Sequence, residues 1–433
     1  MKIITGRQLP LVSFTFILLL FFIFVPFRVG AEEAIKKGEV LSLEKCIEIA
    51  LKKQPNIIAA MKTVDINQSR VGQAKANYYP QIDWSSGYSK YSPVSVITNQ
   101  TYDEYSSSIN LRQKIYDFGK TATQIKVQRL NLDSSRLDLD NVSDQVVFNV
   151  KQGYYRLLQA KRNRDVAGEA VRQFEKHLEQ AKGFYEIGTK PKFDVTKAEV
   201  DLSNAKLNLI KVENALRVAK LTLNNAMGVS DAPEYSLVDN LIFVKYDIAL
   251  EDTLKRAYKQ RADLASVLIK KKAAESSIEI SKKDYYPTLS GNAAYSRAGE
   301  SLPLEDGWNL GLTITFPLFS GFSTGYQVDE ATANLNLLKA NEEVLRQEIL
   351  LEVQQAYLNL QEAKDRIFVA EITVRQAEEN LELANGRYAT GIGNPVEVTD
   401  AQVAYSSAKT AHIQALYDYK IAQASIEKAI GEK

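Results

Sequence analysis

Cysteine is nearly missing from this chain: Cys46 is the only one among 433 residues. No internal disulfide can form, and Cys46 lies on an apolar helical face, where a buried small hydrophobe is expected. Histidine is almost as scarce. His177 and His412 share no motif with other residues, and both are expected at the surface. There is no Cys/His spacing suited to a metal, no glycine loop for phosphate and no nucleophile elbow. The residues therefore offer no catalytic group, no cofactor site and no metal site. A strong charge of either sign is also absent, with 54 basic against 53 acidic residues, which argues against a nucleic-acid partner. After residue 31 no run is long and apolar enough to cross a membrane as a helix. Proline is missing from 120–187 and from 323–390. Each stretch is free to run as a single helix of ~100 Å, several times the usual length.

What is present begins with an export signal. Lys2 and Arg7 give a positive start, Leu11 to Phe24 is nearly all apolar, and Val29-Gly30-Ala31 offers small residues for cleavage. The apolar core is shorter than the roughly 20 residues of a spanning helix. Cleavage is expected after Ala31; an uncleaved anchor is the alternative. No cysteine stands at the cleavage point, so a lipid-anchored N-terminus is not expected. Removing residues 1–31 leaves 51 basic and 53 acidic residues, a net charge of −2.

The chain is one unit used twice. Residues 150–228 repeat as 353–431 at a constant offset of 203 without a gap, and 29 of the 79 pairs are identical. Such a duplication builds something pseudosymmetric. The expected units are a signal (1–31), a first structural repeat (32–228), a connecting segment (229–249) and a second repeat (250–433). Each repeat opens with a helix, from about Leu43 to Asn77 and from about Leu250 to Asp284. Both helices stop at Tyr-Tyr-Pro, at Pro80 and Pro287, because the residue before proline disfavours helical angles.

Two strand-like runs follow in each half. Ile82, Trp84 and Tyr88 fall on one face, as do Tyr105, Ile109, Leu111 and Ile115. In the second half Leu289, Ala293 and Tyr295, then Trp308, Leu310, Leu312 and Ile314, do the same. Serine, asparagine and threonine take the alternate places. Period two of this kind predicts strands with one apolar and one polar face. The loops around Thr98 to Asp103 and Gly299 to Gly307 are polar and suit hairpins. Four strands in water need their apolar face covered; a soluble α+β protein with a small sheet is one solution. In a bilayer that face would meet lipid and the polar face a wet lumen. Open sheet edges do not occur in hydrocarbon, so several chains would share one barrel, of eight strands in a dimer or twelve in a trimer. Strand physics alone does not choose.

The long elements carry a seam. Leu345, Ile349, Val353, Ala356, Leu360, Ala363, Ile367, Ala370, Val374, Ala377, Leu381, Ala384 and Tyr388 alternate by four and three. A period of 3.5 means coiled-coil-like packing. Gly153, Ala160, Ala167, Phe174 and Ala181 hold the matching small-residue places in the first half. The long helices end at Gly188-Thr-Lys-Pro and Gly391-Ile-Gly-Asn-Pro. Glycine stops a helix and proline opens the next, here a return helix of about 34 residues in each half.

Several of these segments resemble the outer membrane efflux protein family, the TolC-like exit ducts. They are the opening Leu41-Ser-Leu-Glu-Lys-Cys-Ile-Glu-Ile-Ala-Leu, the two Tyr-Tyr-Pro stops and Phe316-Pro-Leu-Phe-Ser-Gly-Phe. The most specific is Ala384-Asn-Gly-Arg-Tyr-Ala-Thr-Gly-Ile-Gly-Asn-Pro-Val-Glu-Val-Thr-Asp-Ala-Gln. The match runs over nearly the whole mature chain. It implies a mainly α protein with a small β part, a homotrimer whose long helical hairpins form an α-barrel tunnel across the periplasm. Four amphipathic strands per chain would complete a 12-stranded barrel in outer-membrane lipid. The duct would be passive, docked to a periplasmic adaptor and an inner-membrane transporter in tripartite efflux or type I secretion.

The resemblance also implies residue roles. Ile187, Gly188 and Thr189, with Thr390, Gly391 and Ile392, would be the adaptor-docking turns. Asp194 and Tyr388 would belong to the closed mouth, and Glu397 and Asp400 to acidic rings narrowing it. A ring of carboxylates repels itself and attracts cations; the same two acids also suit the N-terminus of the return helix. The family pattern has a basic residue two places after the second glycine. This chain has Gly393 there, and Lys190 or Lys192 on the other hairpin would have to substitute. The alternative function is a periplasmic scaffold or adaptor with coiled-coil hairpins, although adaptors build compact β domains around one hairpin rather than two equal ones.

Overall fold

The computed structural model describes residues 35–92 and 101–432. The expected export signal and the loop residues from Thr98 to Gln100 lie outside them. The first half comprises β1 (Val40–Leu41), α1 (Leu43–Lys53), α2 (Pro55–Ala76), β2 (Gln81–Tyr91), β3 (Tyr102–Tyr116), α3 (Lys120–Glu186) and α4 (Lys192–Met227). The second comprises β4 (Ser236–Leu237), α5 (Leu250–Gln260), α6 (Ala262–Lys283), β5 (Thr288–Gly299), β6 (Glu305–Thr315), α7 (Ser323–Ala389) and α8 (Pro395–Ala429). The protein is mainly helical with a small β part. Both long helices run unbroken for 67 residues, as the missing prolines predict.

The opening helix of each half is two helices, not one. Gln54 is extended (φ −66°, ψ 120°) ahead of Pro55, the restriction that proline imposes on its predecessor. Arg261 breaks the second half in the same way (φ −63°, ψ 125°) without a proline. Its guanidinium is held by Asp263 at 2.7 Å and Glu352 at 2.6 Å, and donates to the Ala429 carbonyl at 3.3 Å. The Gln54 amide likewise donates to the Asn225 carbonyl at 3.2 Å. Each break thus seats the end of a return helix. Gly228 sits so close that a Cβ there would stand 2.7 Å from the Gln54 Cα, and only glycine fits.

The helices pack side by side with α3 at the centre. Alongside α3 lie α4 and α8 towards the two turns, and α2 and α6 towards the sheet; α7 packs on α8 and α6. The seam of α7 is buried as its spacing predicts, from Ile349, Val353, Ala356, Leu360, Ala363, Ile367 and Ala370 to Leu381, Ala384 and Tyr388. Small residues bring axes close: a Cβ on Gly153 would lie 3.2 Å from the Leu223 Cα. The main core lies mid-length, where Cys46, Val150, Tyr154, Leu223, Met227, Leu360 and Tyr419 meet. Burial pushes the Cys46 thiol up to about 12. The connecting segment is strapped on by tyrosines: Tyr154 Oη donates to the Val238 carbonyl at 2.7 Å, and Tyr419 Oη to the Val244 carbonyl at 2.9 Å.

The four long strands form one antiparallel sheet in the order β2-β3-β5-β6. Its register sets Trp84, Ile109, Tyr295 and Trp308 in one row, and Ile82, Leu111, Ala293 and Leu310 in the next. All the apolar strand residues anticipated above therefore share one face. On the other face Ser85 and Ser108 hydrogen-bond at 2.8 Å, and Asn110 and Arg112 donate to Asp83 at 3.1 and 3.2 Å. No described helix covers either face. Trp84 is 71% and Trp308 79% exposed, and Tyr88, Tyr105, Ile109, Tyr295, Leu310, Leu312 and Ile314 are exposed too, while Leu111 and Leu289 are half-buried. At the foot of the sheet, where strands become helices, Tyr79, Tyr116, Phe118, Tyr285, Tyr286 and Phe319 are exposed together.

Candidate functional site

The two helical turns lie together at the end of the layer opposite the sheet. Each closes by the same local chemistry. Thr189 N–H donates to the Phe184 carbonyl at 2.9 Å and Gly188 N–H to the Tyr185 carbonyl at 3.0 Å. Ile392 N–H donates to the Arg387 carbonyl at 3.1 Å and Gly391 N–H to the Tyr388 carbonyl at 3.0 Å. This pattern needs a left-handed residue after the helix, and Gly188 (φ 75°) and Gly391 (φ 80°) supply it. The tips carry exposed Ile187, Phe193 and Ile392.

Gly393 has its own reason. Its N–H donates to the Arg387 carbonyl at 2.8 Å, and a Cβ would stand 2.7 Å from the Tyr388 nitrogen. A side chain is sterically barred there, so no basic residue can occupy the place. Lys190 of the first turn instead donates to the Gly391 and Gly393 carbonyls at 3.3 and 3.2 Å, and its ammonium stands 5.7 Å from the Tyr388 ring centroid.

Beneath the turns, the two hairpins of the chain meet. Tyr388 is fully buried (0%), closing the seam of α7. Its ring packs on Phe184 at 5.6 Å and His177 at 4.8 Å, both on α3. Burial, aided by the Asp194 charge, raises the Tyr388 phenol above its ordinary range. Asp194 is buried in the first turn of α4. Farther along α4, Asp201 is buried, paired with Lys197 at 2.5 Å, and accepts from Thr399 Oγ1 of α8 at 2.8 Å. Glu397 is in the first turn of α8 and pairs with Arg387 at 3.2 Å; Asp400 is exposed one turn farther on. Of the anticipated residues, Asp194 and Tyr388 come together, while Glu397 and Asp400 are exposed.

His177 overturns the expectation of a surface histidine: it is only 5% exposed. The reason lies in the central place of α3. A helix with neighbours on two sides needs two seams, and Ala170, His177 and Phe184 form the second, spaced by seven beside Phe174 and Ala181. Reading one heptad missed it. Asp201 and Thr399 were missed as well; the Lys197/Asp201 spacing of four was the available signal.

A profile described as Outer membrane efflux protein matches residues 46–229 and 253–432. The chain belongs to this family. Among relatives in the family, CyaE of Bordetella pertussis is 22% identical over 86% of this chain and 80% of that protein. The outer membrane protein TolC of Salmonella enteritidis is 23% identical over 84% of this chain and 76% of its own length. The crystal structure of the Campylobacter jejuni CmeC outer membrane channel superposes with a TM-score of 0.80 at 18% identity, covering 90% of this chain and 85% of that one. At that identity the likeness speaks for the fold.

Proposed function

We propose that this protein is the outer-membrane channel-tunnel of a tripartite efflux or type I secretion system. It would be a passive duct through which an inner-membrane transporter drives its cargo by way of a periplasmic adaptor. One observation carries the reading: a four-stranded sheet with an uncovered apolar face and two unpaired edges, β2 and β6. An uncovered apolar face of this size is not expected on a soluble monomer, and open edges do not occur in hydrocarbon. Three copies joined edge to edge give twelve strands and no edge. At 4.8 Å between strands and a tilt of ~40°, such a barrel is about 24 Å across its backbone, wide enough for a water-filled lumen lined by Ser85, Ser108 and Asn110. β5, from Thr288 to Gly299, runs ~36 Å along the strand, or ~28 Å across a tilted bilayer band. Ile82, Trp84, Tyr88, Tyr105, Ile109, Leu111, Leu289, Tyr295, Trp308, Leu310, Leu312 and Ile314 would face lipid.

The helical layer supports the same assembly. It too has open edges, and α7 bears a second apolar line spaced by seven: Leu337, Val344, Leu351 and Leu358, all exposed. On the opposite edge α4 exposes Leu207, Ile210, Val218 and Leu221. A neighbouring copy would bury both lines and close the ~100 Å helices into a tunnel. We assign the mouth to the turns: Ile187-Gly188-Thr189 and Thr390-Gly391-Ile392 would meet the adaptor. Asp194, Tyr388, Glu397 and Asp400 would form the aperture. Residues 32–228 and 250–433 would be the two structural repeats joined by 229–249, after removal of 1–31. The test is to purify the full chain from cell membranes: a trimer in the outer-membrane fraction that conducts ions in a planar bilayer is expected. A soluble monomer without conductance would return the chain to the scaffold reading.

A further inference from the structure

The contact between the two hairpins contains one group that a duct does not need. His177 is buried with its imidazole against the Tyr388 ring, and neither ring nitrogen has a hydrogen-bond partner among the described residues. Leaving two buried polar atoms without a protein partner costs stability, and phenylalanine would fill the same ring contact without that cost. The corresponding residue of the second repeat is Asn380, so the duplication alone does not impose histidine here.

The surroundings define what a proton would do. From α4, Asp194 and Asp201 act on His177 with negative charge and Lys197 with positive charge. From α7 the facing group is the Tyr388 phenol, whose hydroxyl is also unpaired. α8 brings the neutral Thr399, already committed to Asp201, and Asp201 is in turn committed to Lys197. An imidazolium formed in this place has no hydrogen-bond acceptor aligned with it. It must pull Asp194 or Asp201 out of place, or swing away from Tyr388 into water. The swing parts α3 from α7, and pulling Asp201 away breaks its bond to Thr399 of α8; each loosens the contact between the hairpins.

We propose that His177 is a proton-operated release for the contact between the two hairpins: neutral imidazole locks it, and protonation opens it. That opening this contact opens the duct rests on the function proposed above; the release itself does not. Burial holds His177 below its ordinary value of 6.5. The opened state, with the ring in water, takes up a proton near that ordinary value. Opening is therefore favoured as pH falls below about 6.5, by up to about tenfold per pH unit in each copy, until the buried group itself titrates.

The experiment uses the purified full-length protein at pH 7.5 and pH 5.5. Amide hydrogen exchange is followed in peptides spanning 177–201 and 381–405 and corrected for the intrinsic pH effect. A rise of about tenfold at pH 5.5 is expected in the native protein. The rise should be abolished in both His177→Phe, which keeps the ring contact, and His177→Gln, which stays neutral. Any response to acid that does not pass through His177 is removed by comparison with these variants. No rise in the native protein, or an equal rise in the variants, would overturn the release. Planar-bilayer conductance of the same samples separates the two ideas. Exchange that responds to His177 without any change in conductance would keep the release and refute the assignment of the mouth.

Discussion

Among the described residues Lys190 ties the first turn to the second by its side chain, and its removal gives the sharpest test of how the proposed mouth stays closed. Lys190→Met keeps the aliphatic stem and deletes the ammonium. Two charge-assisted hydrogen bonds are lost, to the Gly391 and Gly393 carbonyls, together with the attraction to the Tyr388 ring. Bonds of this type are worth about 1.5–3 kcal/mol when desolvated. Lys190 is half-buried and the carbonyls it leaves are met by water, so a net loss of about 1 kcal/mol per chain is expected. If three copies open independently, each opens about fivefold more often. If they open as one, the effects multiply to about 3 kcal/mol, or roughly 150-fold. The assay is single-channel recording in a planar bilayer, scoring the fraction of time spent in the highest-conductance state. Because the acceptors are backbone atoms, deleting a side chain from the second turn does not remove them. Unaltered gating in Lys190→Met, with the proposed assembly intact, would refute a closure that depends on this bridge.

Three further outcomes are expected. Gly393→Ala forces a Cβ to 2.7 Å from the Tyr388 nitrogen; the second turn must shift, and conductance should rise with Lys190 intact. Gly228→Ala places a side chain at φ 71°, 2.7 Å from the Gln54 Cα. The left-handed conformation alone costs about 1–2 kcal/mol, so the variant should dissociate at lower temperature in detergent with single-channel conductance unaltered. Cys46, buried with its thiol raised to about 12, should resist maleimide at pH 7.5 for as long as the protein is folded and react on unfolding; rapid labelling of the native protein would contradict its place in the core.

Much of this fold was legible because its periods are long and clean. Thirteen seam positions from Leu345 to Tyr388 recur by four and three, and sixty-seven residues without a proline leave a helix nothing to stop at. The strands were legible for a similar reason: Trp308, Leu310, Leu312 and Ile314 alternate without a fault. The break at Gln54 was there to be read in Pro55. The break at Arg261 was not, because it depends on Glu352 and Ala429, distant in sequence. The mouth shows the same division. Gly188 and Gly391 announce their turns locally, whereas the bridge from Lys190 to backbone carbonyls and the burial of His177 arise from α3 meeting the second hairpin. The two tyrosines at matching places make the point most clearly. Tyr388 is fully buried and Tyr185 is exposed, although the repeat aligns them, because only one of the two faces the other hairpin.

The chain holds just two tryptophans, Trp84 and Trp308, and the sheet sets both in one row of its apolar face. Their fluorescence in reconstituted vesicles therefore reports on the claim that this face stands in lipid. Bromine atoms placed on the lipid acyl chains should quench the emission strongly, and aqueous iodide should leave it nearly unchanged. Emission quenched by iodide and indifferent to brominated lipid would show that the sheet does not face the bilayer.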